Sequence, residues 1–387
     1  MWTFVSPRIV FGEDALDALQ QVRGQRALIV SDRGVVELGL AEPVVERLRR
    51  SGFETRVFDD VESDPSVPTV VRGVEVARGF APDWIVAVGG GSPLDAAKAI
   101  WVLYERPDLE PAEINPFIDL GLRKKARLIT VPTTSGTGAD VTWAIVLTDP
   151  VEGRKMGLGN HENVADLAIV DPILAAGMPP QLTADTGLDA LVHAIEGFTC
   201  TWHTDMTDGL CAHAAAEILT HLPQAVADGG DMQARTHMHH AATSAGLGFG
   251  NAMASLAHAM GHAVGATFHL PHGRAVSVCL PYTLEFIARE APQRAAALAN
   301  RIGVSADRGE PGARALAQAV RHLANRIGNP TSLAEAEIAR EDFESALPKL
   351  VDHAENDTQA ITAARSPSTE QLRDLFAAAY DGVSVAF

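Results

Sequence analysis

Imidazoles crowd one part of this chain in which side chains of that kind are hard to bury. Ala254-Ser255-Leu256-Ala257-His258-Ala259-Met260-Gly261-His262, running on to His269-Leu270-Pro271-His272-Gly273, sets its histidines among small and apolar residues. Buried polar groups need partners. On a helix His258 and His262 stand at i, i+4 and share a face, while Pro271 ends that helix and leaves His272 on the turn beyond. Such a geometry suits a metal. Upstream, Thr183-Ala184-Asp185-Thr186-Gly187-Leu188-Asp189-Ala190-Leu191-Val192-His193-Ala194-Ile195-Glu196 places Asp189 and His193 on one helical face. Carboxylate and neutral imidazole together suit Zn²⁺ or Fe²⁺. Two such helices brought together supply one carboxylate and two or three histidines, and spacing leaves open which of His258, His262, His269 and His272 stands apart. His237-Met238-His239-His240 is a further cluster, but i, i+2, i+3 is poor helical geometry for chelation and reads as a solvated face.

Two loops carry a different chemistry. The run Asp83-Trp84-Ile85-Val86-Ala87-Val88 reads as a strand that feeds Gly89-Gly90-Gly91-Ser92-Pro93 and a helix from Leu94 to Leu103. Three glycines let the backbone approach a ligand closely, Ser92 can cap, and Pro93 fits the first helical position. Backbone N–H groups and the helix dipole there favour a phosphate. The turn is neither the Gly-x-Gly-x-x-Gly pattern nor a P-loop. A second strand, Ala126-Arg127-Leu128-Ile129-Thr130-Val131, feeds Pro132-Thr133-Thr134-Ser135-Gly136-Thr137-Gly138, dense in hydroxyls. Two such loops at strand ends are where an open α/β sheet holds a ligand.

The elements that must position these groups change character part-way along the chain. In the first half, β-rich runs (Arg26 to Asp32, Thr55 to Phe58, Asp83 to Val88, Ala126 to Val131, Val141 to Thr148, Ala168 to Pro172) alternate with helical stretches at Val35 to Ser51 and Pro68 to Gly79. This pattern predicts a parallel sheet with flanking helices. Past Met178-Pro179-Pro180 the texture turns to Ala-rich helical periodicity, with β-branched residues concentrated around Ala275 to Leu280. The expected division is an α/β domain over residues 1–180 and an all-α domain over 181–387.

Composition narrows the partners. The 387 residues are 47% hydrophobic and 21% charged, as in ordinary globular proteins, with a formal charge of −18. Such a field repels nucleic acid and anionic lipid, so neither is an expected partner. The start lacks a basic region followed by an apolar core, and no run is long enough to span a bilayer. Cys200, Cys211 and Cys279 form no Cys-x-x-Cys pair. The expected location is therefore the reducing cytoplasm.

Taken together, Gly89-Gly90-Gly91-Ser92-Pro93-Leu94-Asp95, the Pro132 to Gly138 loop, Thr186 to Glu196 and His258 to Gly273 closely resemble the iron-containing (group III) alcohol dehydrogenases. Order and spacing agree over nearly the whole chain. The resemblance implies an N-terminal dinucleotide-binding α/β domain, an all-helical C-terminal domain and an active site in the cleft between them. By position it implies Asp189, His193, His258 and His272 as metal ligands, with His262 close to the nicotinamide and suited to relay a proton. Gly90, Gly91 and Ser92 match the pyrophosphate turn, Asp95 a residue on the nicotinamide side, Thr133, Thr134 and Thr137 the hydroxyl-rich nucleotide loop, and Lys155 a lysine reaching a ribose. Asp32 matches the strand-end carboxylate that favours NAD over NADP, by accepting from a ribose hydroxyl and repelling a 2′-phosphate. Thr142, Ala144, Val146, Phe249 and Asn251 correspond to positions around the substrate, and the small apolar Ala144 and Val146 point to an alcohol without many hydroxyls.

The chain departs from the family pattern at Gly138-Ala139-Asp140, at His262-Ala263-Val264-Gly265 and at Ala363-Ala364-Arg365, none of which removes a proposed ligand. The expected reaction is hydride transfer between NAD and a primary alcohol or its aldehyde, extending to secondary alcohols and ketones. Fe²⁺ is the expected metal, and the same donors accept Zn²⁺. Rival readings are a metal hydrolase or lyase using an activated water, which leaves both phosphate-binding loops unexplained, and a non-catalytic nucleotide-binding protein. The resemblance also implies a homodimer or larger homo-oligomer.

Overall fold

A computed structural model of the chain describes residues 3–150 and 154–387. It comprises two compact units, one ending at Gly177 and the other running from Met178 to Phe387.

The first unit forms strands β1 (Arg8–Phe11), β2 (Arg26–Val30), β3 (Glu54–Phe58), β4 (Trp84–Gly89), β5 (Arg127–Pro132) and β8 (Leu167–Val170). They form a parallel sheet in the order β1-β8-β5-β4-β2-β3. Side chains alternate across it. Leu28, Val30, Ile85, Ala87 and Leu128 face one core, against helices α3 (Val67–Phe80) and α4 (Gly91–Glu105). Ile29, Val86, Val88, Ile129 and Ile169 face the other, against α2 (Glu42–Arg50). The inner strands β2, β4, β5 and β8 are covered on both faces, which is why they read as continuous apolar runs.

Several local expectations shift. The predicted helix Val35 to Ser51 is two helices, α1 (Arg33–Glu37) and α2, because Gly39 between them adopts a left-handed φ of 74°. Helix α4 starts earlier than the sequence suggests, at Gly91, with Gly90 as its N-cap. The run Val141 to Thr148 does not enter the main sheet. It contributes β6 (Ala144–Asp149), which pairs antiparallel with β7 (Arg154–Gly159) in a separate two-stranded ribbon. The strands β1 and β7 escape the sequence reading altogether.

Strand order fixes where a ligand can sit. From β2 the chain moves outward to β3, then returns to the opposite side of β2 as β4. The switch point therefore lies between the carboxyl ends of β2 and β4. Asp32 follows β2, Gly90 follows β4, and Thr133 follows the adjacent β5.

The second unit is helical: α5 (Pro180–Thr199), α6 (Asp205–Ala227), α7 (Met232–Gly250), α8 (Leu256–Phe268), α9 (His272–Glu290), α10 (Gln293–Arg301), α11 (Glu310–Arg326), α12 (Arg340–Glu355) and α13 (Thr369–Asp381). The β-branched stretch near Ala275 lies inside α9, where tertiary packing overrides local propensity. Small residues allow the histidine-bearing helices to approach closely. A Cβ on Gly261 of α8 would lie 2.7 Å from the Cα and 2.9 Å from the backbone nitrogen of Val276 on α9. Backbone cannot rotate aside as a side chain can. Gly261→Ala is therefore expected to destabilise the helical unit by ~1–3 kcal/mol, read as a lowered thermal midpoint; an unchanged midpoint would contradict this packing.

Candidate active site

The helical unit gathers the sequence-predicted ligands. Asp189 and His193 project from one face of α5, His258 comes from the first turn of α8, and His272 is the first residue of α9. Each offers an atom within 4.8 Å of the others. His272 Nε2 lies 3.4 Å and His193 Nδ1 3.9 Å from Asp189 Oδ1. The rings of His193 and His258 stack at 4.6 Å between centroids. His272 thus opens a helix with Pro271 as its N-cap, where the sequence suggests a turn residue. His269 is left out: it is exposed and takes a left-handed φ of 57° as the C-cap of α8.

A carboxylate behind the cluster sets its chemistry. Glu196, also on α5, meets His258 Nδ1 at 2.6 Å and accepts from the backbone N–H groups of Ser255 (2.9 Å) and Ala257 (2.6 Å). Ser255 makes no side-chain cap of its own, so Glu196 supplies the anion that the start of α8 favours. With the Nδ1 hydrogen directed at Glu196, His258 presents Nε2 to the cluster, where it is buried and has no hydrogen-bond partner. Burial opposes charging this ring, but Glu196, with Asp189 and Asp357 beyond, holds its pKa above the ordinary histidine value. The surroundings therefore stabilise positive charge at this point. An orphaned buried nitrogen, two further imidazoles, a carboxylate and a locked tautomer together fit a divalent ion.

His262, one turn after His258, lies outside the four-residue set. Its Nδ1 is held by Asp357 Oδ2 at 2.8 Å, and its ring lies 5.4 Å from that of His272. Burial pushes the Asp357 carboxyl up, but its bond to His262 brings it below the usual carboxylate range. Phe249, at the end of α7, stacks on His193 at 3.9 Å and 9°. Asn251 caps the same helix and donates to Leu247 O at 3.0 Å.

The first unit brings the nucleotide-loop residues together. A Cβ on Gly90 would meet Thr134 at 3.4 Å, and one on Gly91 would meet Thr137 Cγ2 at 2.9 Å. The glycine turn and the threonine loop thus touch along the sheet edge, with Thr133 buried beneath. Asp32 accepts from Val35 N at 2.8 Å through Oδ1 and so caps α1; Oδ2 takes no part in that cap. Lys155 pairs with Asp64 at 2.6 Å, and Asp64 N in turn contacts Ser92 Oγ at 3.3 Å. Asp95 accepts from Val146 N at 3.0 Å and lies 3.4 Å from the fully buried Lys98. Lys98 donates to Ala144 O at 2.8 Å and reaches Thr142 Oγ1 at 3.5 Å. Burial pushes the Asp95 carboxyl up and the Lys98 ammonium down, outweighing their mutual attraction. Thr142, Ala144 and Val146 therefore surround a buried ion pair.

Residues 6–172 match the family model for iron-containing alcohol dehydrogenase, and residues 183–380 match the C-terminal model of the Fe-containing alcohol dehydrogenase family. The chain belongs to the iron-containing alcohol dehydrogenases. It is 37% identical to the NADPH-dependent butanol dehydrogenase of Clostridium saccharobutylicum, over the full length of both. It is 36% identical, over 98% of its length, to aldehyde-alcohol dehydrogenase 2 of Entamoeba histolytica, and spans about half (46%) of that longer protein. Among solved structures, 1,3-propanediol oxidoreductase superposes with a TM-score of 0.92 at 31% identity, covering 98% of this chain and 100% of its own. The expected family, the α/β and helical fold class, and the oxidoreductase class all hold for this iron-containing alcohol dehydrogenase. Its family is iron-containing by name, and no helix among the described residues is long and apolar enough to cross a membrane.

Sequence reasoning gave no role to Glu196, Asp357, Lys98 or Asp64. Glu196 was findable, since Asp185, Asp189, His193 and Glu196 fall on one stripe of an otherwise apolar helix. Asp357 was not, being 95 residues from His262 with no local pattern. Glu196→Gln keeps the side-chain shape while removing the charge behind His258. We expect it to weaken Fe²⁺ or Zn²⁺ binding about 10- to 100-fold, measured by metal titration with helicity checked by circular dichroism; unchanged affinity would remove Glu196 from the site.

Proposed function

We propose that this dehydrogenase interconverts a short primary alcohol and its aldehyde, with NAD carrying the hydride and Asp189, His193, His258 and His272 holding Fe²⁺. The observation that carries the reading is the convergence of those four side chains around the partnerless Nε2 of His258. A divalent ion in such a set supplies Lewis acidity toward an alcohol or carbonyl oxygen. The remaining work falls to the chain. Glu196 fixes the His258 tautomer, and Asp357 orients His262 by holding its Nδ1. His262 Nε2 is then the atom that takes the alcohol proton and returns it in the reverse direction. Phe249, flat on His193, excludes water from that side. Gly90, Gly91 and Ser92, with Thr133, Thr134 and Thr137, bind the pyrophosphate through backbone N–H and hydroxyl groups at the switch point. Asp95 fixes the edge of the cofactor site through Val146, and Lys155 reaches a ribose from its pairing with Asp64.

A short, weakly hydroxylated substrate is supported by the small Ala144 and by the names of the similar butanol and propanediol enzymes. The NAD preference rests on Asp32, and on Arg33, the neighbouring cation, being paired with Asp60 at 2.7 Å. We also propose a cytoplasmic location, supported by three buried, free cysteines. A dimer or larger homo-oligomer is part of the same proposal, supported by Phe11 on the edge strand β1, 67% exposed.

The defining experiment follows NADH absorbance with iron-loaded, anaerobic protein and a panel of C2 to C5 aldehydes. Oxidation is expected with wild type and is expected to vanish with bound metal in Asp189→Ala and His258→Ala. Hydrolysis of esters without any NADH oxidation would replace this reading by the hydrolase. His262→Ala should keep metal and NADH binding yet slow turnover and alter its pH profile; an unchanged profile would rule out the relay. Asp32→Ser keeps a capping side chain and removes the charge. It is expected to shift kcat/KM toward NADPH by about tenfold or more, ~1.4 kcal/mol, with no loss of thermal stability.

A further inference from the structure

The sequence reading left His237-Met238-His239-His240 as a solvated face, and the structure corrects it. Met238 and His239 are buried, and burial pushes His239 down to a pKa of about 3. His237 turns instead toward α6, where Glu217 and His221 stand at i, i+4 on one face. We propose that Glu217, His221 and His237 form a second divalent-cation site, suited to Zn²⁺, that fastens α6 to α7.

Three donor-bearing side chains from two helices meet at one place. Glu217 Oε2 lies 2.7 Å from His237 Nδ1 and 3.6 Å from His221 Nε2, and donor atoms of all three fall within 4.8 Å. Two ligands about 2.0–2.1 Å from a tetrahedral ion lie roughly 3.3–3.4 Å apart, between the two measured separations. The imidazole rings are stacked nearly parallel, 4.0 Å between centroids and 9° apart. Imidazole lone pairs lie in the ring plane, so rings stacked this way present their nitrogens side by side, and rotation of one ring about its Cβ–Cγ bond brings both lone pairs onto one cation. Two imidazoles and a carboxylate are a borderline donor set for which Zn²⁺ is apt. His237 and Glu217 keep 39% and 27% of their side-chain surface exposed, so an ion can enter and water can complete the shell. Asp231, at the N-cap of α7, adds negative charge nearby.

This site shares no residue with the active-site cluster, so the two are separable by mutation. Full-length protein is stripped with chelator, re-equilibrated with excess Zn²⁺, gel-filtered and analysed for metal. The decisive quantity is the difference between wild type and His221→Gln/His237→Gln. A loss of one ion per chain is expected, both in the wild-type background and in His258→Ala, together with loss of part of the Zn²⁺-induced rise in Tm. No difference in stoichiometry overturns the proposal, whatever the total. If His258→Ala loses no ion but the double variant does, the second site stands and the four-ligand reading falls. Alcohol oxidation by the iron-loaded double variant should stay at the wild-type rate, which also shows that the variant folds.

Discussion

One carboxylate couples the folding of the helical unit to the chemistry of its site. Glu196 is buried on α5, where an unpartnered charge would be costly. It is satisfied by two backbone N–H groups at the start of α8 and by His258 Nδ1. The same three contacts place α8 against α5, cap a helix whose own Ser255 does not, and direct His258 Nε2 at Asp189, His193 and His272. Ligand position is therefore a consequence of helix docking. Gly273 serves the same end at the third helix: a Cβ there would overlap Asp185 O, so α9 can deliver His272 beside Asp189 only with glycine in the second position.

In the nucleotide unit the corresponding constraint is strand order. Parallel pairing of β4 with β5, in register from Trp84 and Arg127 to Gly89 and Pro132, puts the glycine turn and the threonine loop side by side. At their contact a Cβ on Gly91 would press on the Thr137 methyl at 2.9 Å, so a larger residue requires that side chain to shift. Beneath them, Asp95 and Lys98 are buried together, each pushed toward its neutral form, and tie α4 to Ala144 and Val146 of the ribbon. The ribbon is thereby anchored to the helix that follows the glycine turn.

What the sequence disclosed depended on whether the cause was local. The buried strands, the glycine turn and the i, i+4 pairs in α5 and α8 each carry their signal within a few residues, and each formed. The four-residue cluster could not be separated from His262 and His269 by spacing, because the choice depends on tertiary facts: His269 turns left-handed at the end of α8, and His262 falls outside the group whose donor atoms lie within 4.8 Å of one another. Val141 to Thr148 reads as one more strand of the series because it has the same apolar pattern as a buried strand, and nothing local marks its pairing with β7 in a separate ribbon. Asp32 was legible as both a helix cap and a ribose partner, and its two oxygens permit both roles. The α6–α7 cluster was invisible because its i, i+4 half, Glu217 and His221, needs His237 from another helix.

Charge shapes what the centre in the helical unit can hold. Asp185 is matched by a two-point contact with Arg274, at 3.0 and 3.1 Å, and Asp357 by His262. That leaves Asp189 and Glu196 facing imidazoles within an apolar core of Ala, Leu, Val and Phe side chains. Protonating His193, His258 and His272 would supply positive charge, but it would place three like charges within a few ångströms in a medium that screens them weakly. One divalent cation would deliver its charge at a single point and would meet the lone pair of His258 Nε2. The acidic stripe of α5 and the histidines of α8 and α9 thus bring together a carboxylate and three imidazoles, a donor set that suits a divalent ion.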